Sequence, residues 1–219
     1  MTGTDVDTAW ERALELAWES FCAGTTPVGA VVINGDGAIV AEGRGRRYEA
    51  TAPPGQLAGS DIAHAEVNAL AQLAAGHRHD DHVLLTSLEP CGMCHGAAVQ
   101  ASLGALWFAG ADPYGGTASL TFGNPQSNRR GLAVRGPLDD DRGRLAELLH
   151  ILWLTAGPAG PHVLAAQRAG LPERTSVAEQ AGIRELVEHA AARQLTLAGL
   201  RSLLPAGMTA PLTGSAERP

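Results

Sequence analysis

The residues best suited to chemistry are His64, Glu66, Cys91 and Cys94, which stand in two short segments, His64-Ala65-Glu66 and Pro90-Cys91-Gly92-Met93-Cys94. An imidazole and two thiolates are good zinc ligands, and three protein ligands leave the fourth tetrahedral position open to water, as a catalytic zinc requires. Zinc lowers the pKa of such a water to about 7, which makes a hydrolytic nucleophile available at neutral pH. Glu66 follows a ligand by two residues near the start of an expected helix, so its carboxylate can point into the same cavity without binding the metal. It is the candidate general acid and base, taking a proton from water and handing it on. Cys91 and Cys94 open another expected helix, whose N-terminal dipole favours the thiolate form.

Blander readings compete with this one. A closed structural zinc site, with Cys22 or His95 as the fourth ligand, would leave Glu66 idle. A redox Cys-x-x-Cys explains neither the His-x-Glu nor the proline before the first cysteine. His77, His79 and His82 resemble a metal cluster, yet Arg78, Asp80 and Asp81 around them mark a solvated turn. Arg44, Arg46 and Arg47 could hold a phosphate or carboxylate of a substrate, and a solvated loop accounts for them equally.

The positioning elements follow from periodicity. Trp10, Leu14, Ala17, Trp18 and Phe21 fall on one helical face, with Thr4 or Asp5 as its cap. Val28 to Ile33 and Ala38 to Ala41 flank Asn34-Gly35-Asp36-Gly37, which predicts a β-hairpin. Residues 44–60 read as a long loop, the kind that is usually functional or disordered. Ala63 to Ala75 predicts a helix, His82 to Ser87 a strand, Cys91 to Ala101 a helix and Gly104 to Ala109 a strand. Strands alternating with helices imply a three-layer, partly parallel α/β sheet. A helix is expected from Asp139 to about Thr155, with Leu145, Leu148, Leu149 and Leu152 as its stripe. Past Gly157-Pro158-Ala159-Gly160-Pro161, Ser176 to Arg193 and Thr196 to Leu204 predict two amphipathic helices. The expected division is a zinc domain over residues 1–157, a helical extension over 158–204 and a mobile tail over 205–219.

Composition narrows the function. The chain has 219 residues, 45% hydrophobic and 18% charged, which suits one ordinary folded domain with an appendage. No apolar run reaches the roughly 20 residues of a membrane span and no secretory leader is evident, so a cytoplasmic protein without a membrane partner is expected. Three cysteines, two of them in the Cys-x-x-Cys, speak against a disulfide framework; Cys22 is expected as a buried small hydrophobe. All 16 basic side chains are arginine against 23 acidic ones, for a net charge of -7. Lysine-based Schiff chemistry is thereby excluded, and an acidic chain is a poor general partner for nucleic acid. A small-molecule substrate is favoured.

His-x-Glu followed by Pro-Cys-x-x-Cys is the described signature of zinc deaminases. The chain resembles the cytidine and deoxycytidylate deaminase superfamily, nearest the branch of tRNA adenosine deaminase, guanine deaminase and fungal-type cytosine deaminase. The carrying residues are Pro27 to Val31, His64 to Leu70, Leu88 to Ala97 and Asp112 to Gly116. This likeness implies an α/β/α sandwich around a mixed β-sheet, a zinc cofactor, a homodimer, and hydrolytic deamination of a nucleobase, nucleoside or related amino-heterocycle. In that chemistry a zinc-activated water attacks the amino-bearing carbon and ammonia leaves. The candidate substrate contacts are Ala65, Leu88 and Pro90 beside the ligands, His95, Tyr114 and Phe122 as ring-facing groups, and Arg44. Three features depart from the branch. Gly45 stands where a base-holding asparagine is usual, His95 replaces a small residue, and the stretch after Gly157 has no familiar counterpart. The alternatives are a tRNA or single-stranded nucleic-acid editor and a non-catalytic zinc protein whose tail binds a partner.

Overall fold

The computed structural model describes residues 3–119, 125–157, 160–180 and 182–205. In chain order the elements are α1 (Gly3–Cys22), β1 (Gly29–Ile33), β2 (Ile39–Arg44), α2 (Ala65–Leu70), β3 (His79–Leu88), α3 (Gly92–Gln100), β4 (Leu103–Gly110), α4 (Pro125–Arg130) and β5 (Ala133–Arg135). Helices α5 (Asp141–Ala156), α6 (Pro161–Gly170), α7 (Pro172–Ala178), α8 (Ile183–Ala192) and α9 (Leu197–Leu203) complete it. The sheet runs β2-β1-β3-β4-β5. β1 pairs antiparallel with β2 and β3, whereas β4 is parallel to both β3 and β5, so the sheet is mixed as expected.

Strand alternation distributes the core. Successive side chains of a strand point to opposite faces. Ala30 and Val32 of β1 and Leu84 of β3 therefore pack with Ala65 and Ala69 of α2 and Ala98 of α3. Val31 and Ile33 of β1 and Val83 and Leu85 of β3 meet Ala9, Trp10, Ala13 and Leu16 of α1 on the other side. Helix α5 joins that second layer. Its start is capped by Asp140, whose Oδ1 accepts from the Arg142 and Gly143 amides at 3.0 and 3.3 Å. No described helix is long and apolar enough to cross a membrane.

Several expectations need correction. α1 already includes Gly3, so Thr4 and Asp5 lie within the helix and do not cap it. The helix expected to reach Ala75 ends at Leu70 and continues as turns, in which the Gln72 side chain reaches back to the Glu42 carbonyl. β3 starts at His79, which puts His79 and His82 in a strand with their rings 4.9 Å apart, not in a turn. Cys22 is exposed, because the last residue of α1 lies beyond the stripe that α1 buries. Among the described residues from Pro161 on there are four helices, since Pro161 and Pro172 each start a new one and the left-handed Gly182 interrupts the longest expected segment. β5 and α4 are short additions. The expected mobile tail lies, apart from Pro205, outside the described residues.

The extension shares a core with the sheet domain. Ala178, Ile183, Val187, Leu197 and Leu200 pack with Leu14 and Trp18 of α1 and with the Leu145–Leu152 face of α5, making a fourth layer. The Trp18 indole donates to the Leu195 carbonyl at 2.7 Å, and Arg201 pairs with Glu11 at 2.6 Å. Truncating a fully buried leucine removes apolar contact and leaves a cavity, a change typically costing about 2–5 kcal/mol. Leu200→Ala is accordingly expected to lower the unfolding free energy by about that amount, within one cooperative urea transition. A separate early transition for the extension would show that it is not part of the common core.

Candidate active site

The parallel β3-α3-β4 crossover delivers the cysteines. Cys91 is the N-cap residue of α3 and His64 the N-cap residue of α2; both have extended backbones, and neither side chain caps its own helix. Both are thus left to face one another. Cys91 Sγ lies 3.7 Å from His64 Nδ1 and 3.7 Å from Cys94 Sγ, and Cys94 Sγ lies 3.5 Å from His64 Nδ1. Zinc–sulfur bonds near 2.3 Å and zinc–nitrogen bonds near 2.0 Å at tetrahedral angles would set these separations at about 3.8 Å for sulfur–sulfur and about 3.6 Å for sulfur–nitrogen. The donor set therefore fits zinc in both chemistry and spacing. Cys22 and His95 are not part of it: among the described residues only His64, Cys91 and Cys94 converge as a metal-holding group.

Charge is arranged around these donors. Contact with Cys94 and with the His64 imidazole holds the Cys91 thiol well below its ordinary pKa despite burial, the direction a ligating thiolate requires. Glu66 is 3% exposed; one oxygen lies 3.3 Å from Cys94 Sγ, and the other accepts from the Thr86 hydroxyl at 3.3 Å. Burial pushes its carboxyl above the usual range, against the pull of His64. A carboxyl in this position can carry a proton to and from a group held beside the donors.

A narrow cavity of about 100 Å³ opens beside this cluster. Of the residues singled out from sequence, Arg47, His64, Ala65, Glu66, Leu88 and Cys91 line it. Others are placed elsewhere. Cys94 is fully buried behind its partners. The Pro90 carbonyl accepts from the Thr117 hydroxyl at 2.9 Å, and Nδ1 of the buried His95 meets the Thr117 carbonyl at 3.3 Å, so both secure the loop after β4. Arg44 is directed to Glu49 and Glu19, away from the lining. Tyr114 is half exposed, its ring 5.5 Å from that of His162 in α6. Phe122 lies outside the described residues.

Sequence reading missed what completes the wall. Thr26, Asp112 and His150 all line the cavity. Nothing local marks His150, because it sits inside the apolar pattern of α5. The loops carrying the wall are tied down by buried polar groups. Glu89 accepts from the Asp112 and Ala118 amides at 3.1 and 2.9 Å. The Asn68 side chain accepts from the Leu57 amide at 2.7 Å and donates to the Arg44 and Leu57 carbonyls at 3.0 and 3.1 Å. Residues 45–64 are thereby an ordered loop. At Gly45, a Cβ would stand 2.5 Å from the Thr26 carbonyl oxygen, so the backbone closes this position to any side chain.

Residues 4–109 match the family described as the cytidine and deoxycytidylate deaminase zinc-binding region, and that span holds all four of His64, Glu66, Cys91 and Cys94. This match over just under half of the chain supports a place in the cytidine and deoxycytidylate deaminase superfamily. Within it, the chain is 40% identical over 111 residues to a tRNA(Ile)-lysidine synthase of Deinococcus radiodurans, a match covering 49% of this chain and 18% of that one. It is 38% identical over 107 residues to a guanine deaminase of Bacillus subtilis, covering 47% of this chain and 63% of the relative. The chain thus spans less than two thirds of the length of the curated relatives it matches. A solved tRNA A34 deaminase structure superimposes with a TM-score of 0.51 at 26% identity, covering 60% of this chain and 92% of that one.

If these three donors hold the metal, purified protein carries about one zinc per chain, and Cys91→Ser and Cys94→Ser each lose most of it. Metal analysis by plasma emission decides this. Full zinc in both variants would show that the ligands lie elsewhere.

Proposed function

We propose that this protein is a zinc-dependent aminohydrolase that deaminates a free nucleobase, nucleoside or related amino-heterocycle. The observation that carries the reading is the pairing of a three-donor cluster at zinc spacing with a buried Glu66 in contact with it. Zinc held by His64, Cys91 and Cys94 would supply Lewis acidity that makes a water nucleophilic at neutral pH. Glu66 takes the proton from that water as its oxygen adds to the amino-bearing carbon, and gives it to a ring nitrogen. It then takes the proton left on the added hydroxyl and passes it to the amine, so the carbonyl forms, the carbon–nitrogen bond breaks and ammonia leaves. Ala65 and Leu88 supply apolar wall against a flat ring, and the closed position at Gly45 keeps the entrance free of side chains there.

Two observations bear on the rival reading, a tRNA or single-stranded nucleic-acid editor. In its favour stand the relatives with tRNA in their names. Against it, the arginines near the cavity already have carboxylate partners. Arg44 and Arg46 share Glu49, and Arg47 pairs with Asp61 at 2.7 Å. Phosphate-backbone binding draws its affinity from unneutralised cations, and the net charge of the chain is -7.

Glu66→Gln is expected to keep zinc and fold while losing about 10² to 10⁴ of the turnover, since an amide cannot carry the proton. Zinc content and ammonia release on one sample measure both. Turnover within a few-fold of the parent would remove Glu66 from the chemistry. In a competition of tRNA, single-stranded DNA and free amino-heterocycles, ammonia is expected from a free heterocycle. Inosine formation in the tRNA far faster than any free ring reacts would establish the editor instead.

A further inference from the structure

Most polar groups of the cavity wall outside the zinc cluster already have partners. Glu66 is held by Thr86 and Cys94, Glu89 uses both oxygens on backbone amides, and Arg47 is paired with Asp61. His150 differs. It lines the cavity from the middle of α5, is 7% exposed, and makes no hydrogen bond among the described residues. A buried polar ring without a partner costs free energy unless something in the cavity satisfies it. Burial holds its pKa below the ordinary histidine value, with the charge of Asp112 opposing, so the imidazole is neutral and offers both a donor and an acceptor nitrogen.

The position is also rigid. Leu149 and Ile151 on either side are fully buried, and Glu147, one turn earlier, accepts from the Ala111 amide at 3.1 Å. Asp112 is fixed in turn: its Oδ1 accepts from the Tyr114 amide at 3.0 Å and from the fully buried Gln167 side chain at 2.9 Å. Helix α6 thus braces the wall next to His150. A group held on a packed helix with an open hydrogen-bonding nitrogen is what selective recognition of one ring requires, because a ligand lacking the matching atom leaves that nitrogen buried and unpaired.

We propose that His150 is the specificity-determining residue of this site, hydrogen-bonding through a ring nitrogen to a polar edge atom of the heterocycle. This rests on the heterocycle-binding part of the reading above. The full-length zinc-loaded protein carrying Glu66→Gln, which binds without turnover, is titrated calorimetrically with adenine, guanine, cytosine and their ribonucleosides. The tightest ligand is then titrated against the same protein with His150→Leu or His150→Gln added, zinc content and melting temperature being checked alongside. The expected result is a Kd raised about tenfold or more by leucine and restored to within a few-fold by glutamine, which keeps a donor and an acceptor. Should the leucine variant fail to fold, His150→Met makes the same comparison. Unchanged binding by the apolar variant, a glutamine variant as weak as leucine, or no binding by any compound of the panel overturns the proposal. Ammonia release by the unaltered protein is measured separately. A ring bound through His150 but never deaminated would sink the aminohydrolase reading and leave this contact standing, whereas deamination indifferent to the leucine change would do the reverse.

Discussion

Three donor atoms, each within 3.7 Å of the other two, are the constraint on which this molecule is organised. An imidazole and two sulfurs cannot approach so closely unless the backbones behind them are fixed to a fraction of an ångström. Two helices start at this point, and both contribute the residue at the N-terminal boundary. That boundary is where a side chain can leave the helix axis forward, toward the other helix start, and where the dipole favours a thiolate. The parallel crossover from β3 through α3 to β4 holds Cys91 and Cys94, and packing of α2 against β1 and β2 holds His64. The mixed sheet is the frame for both.

Around the cluster, buried polar side chains serve the backbone as much as the chemistry. Glu89 and Asn68 tie two irregular loops to regular elements through their amides and carbonyls, replacing hydrogen bonds that water would otherwise supply. Glu147 does the same between α5 and the end of β4, with Arg174 of α7 at 3.4 Å and its own carboxyl pushed upward by burial. The cavity wall is thereby tied to the regular elements although much of it is loop. Firmness of that kind matters for a site that must hold a flat ring at a fixed distance from the proton carrier.

Legibility in the sequence followed the range of the interactions. The Cys-x-x-Cys, the His-x-Glu and the hairpin at Asn34 to Gly37 are local patterns whose meaning is set within a few residues, and the elements bearing them were readable. His150 and Gln167 were not. Each is one polar residue within a helix, and only the fold reveals that the cavity or its brace lies opposite. Arg44 misled in the opposite way, because its charge suggested a ligand while its partner Glu49 sits five residues on in the same loop. The tail helices were blurred for a further reason: short amphipathic turns separated by proline and glycine carry the same period as one longer helix.

The clasp between α1 and the last helices has a consequence for synthesis. Trp18 and Leu14 are made long before Leu197 and Leu200, which cover them. At about 5–20 residues per second, the apolar stripe of α1 waits on the order of ten seconds or more for its cover. Helix α5 covers part of that stripe sooner, so it is the side facing α8 and α9 that waits. Final closure is therefore a late, long-range event that follows formation of the metal-ligand segments instead of preceding it.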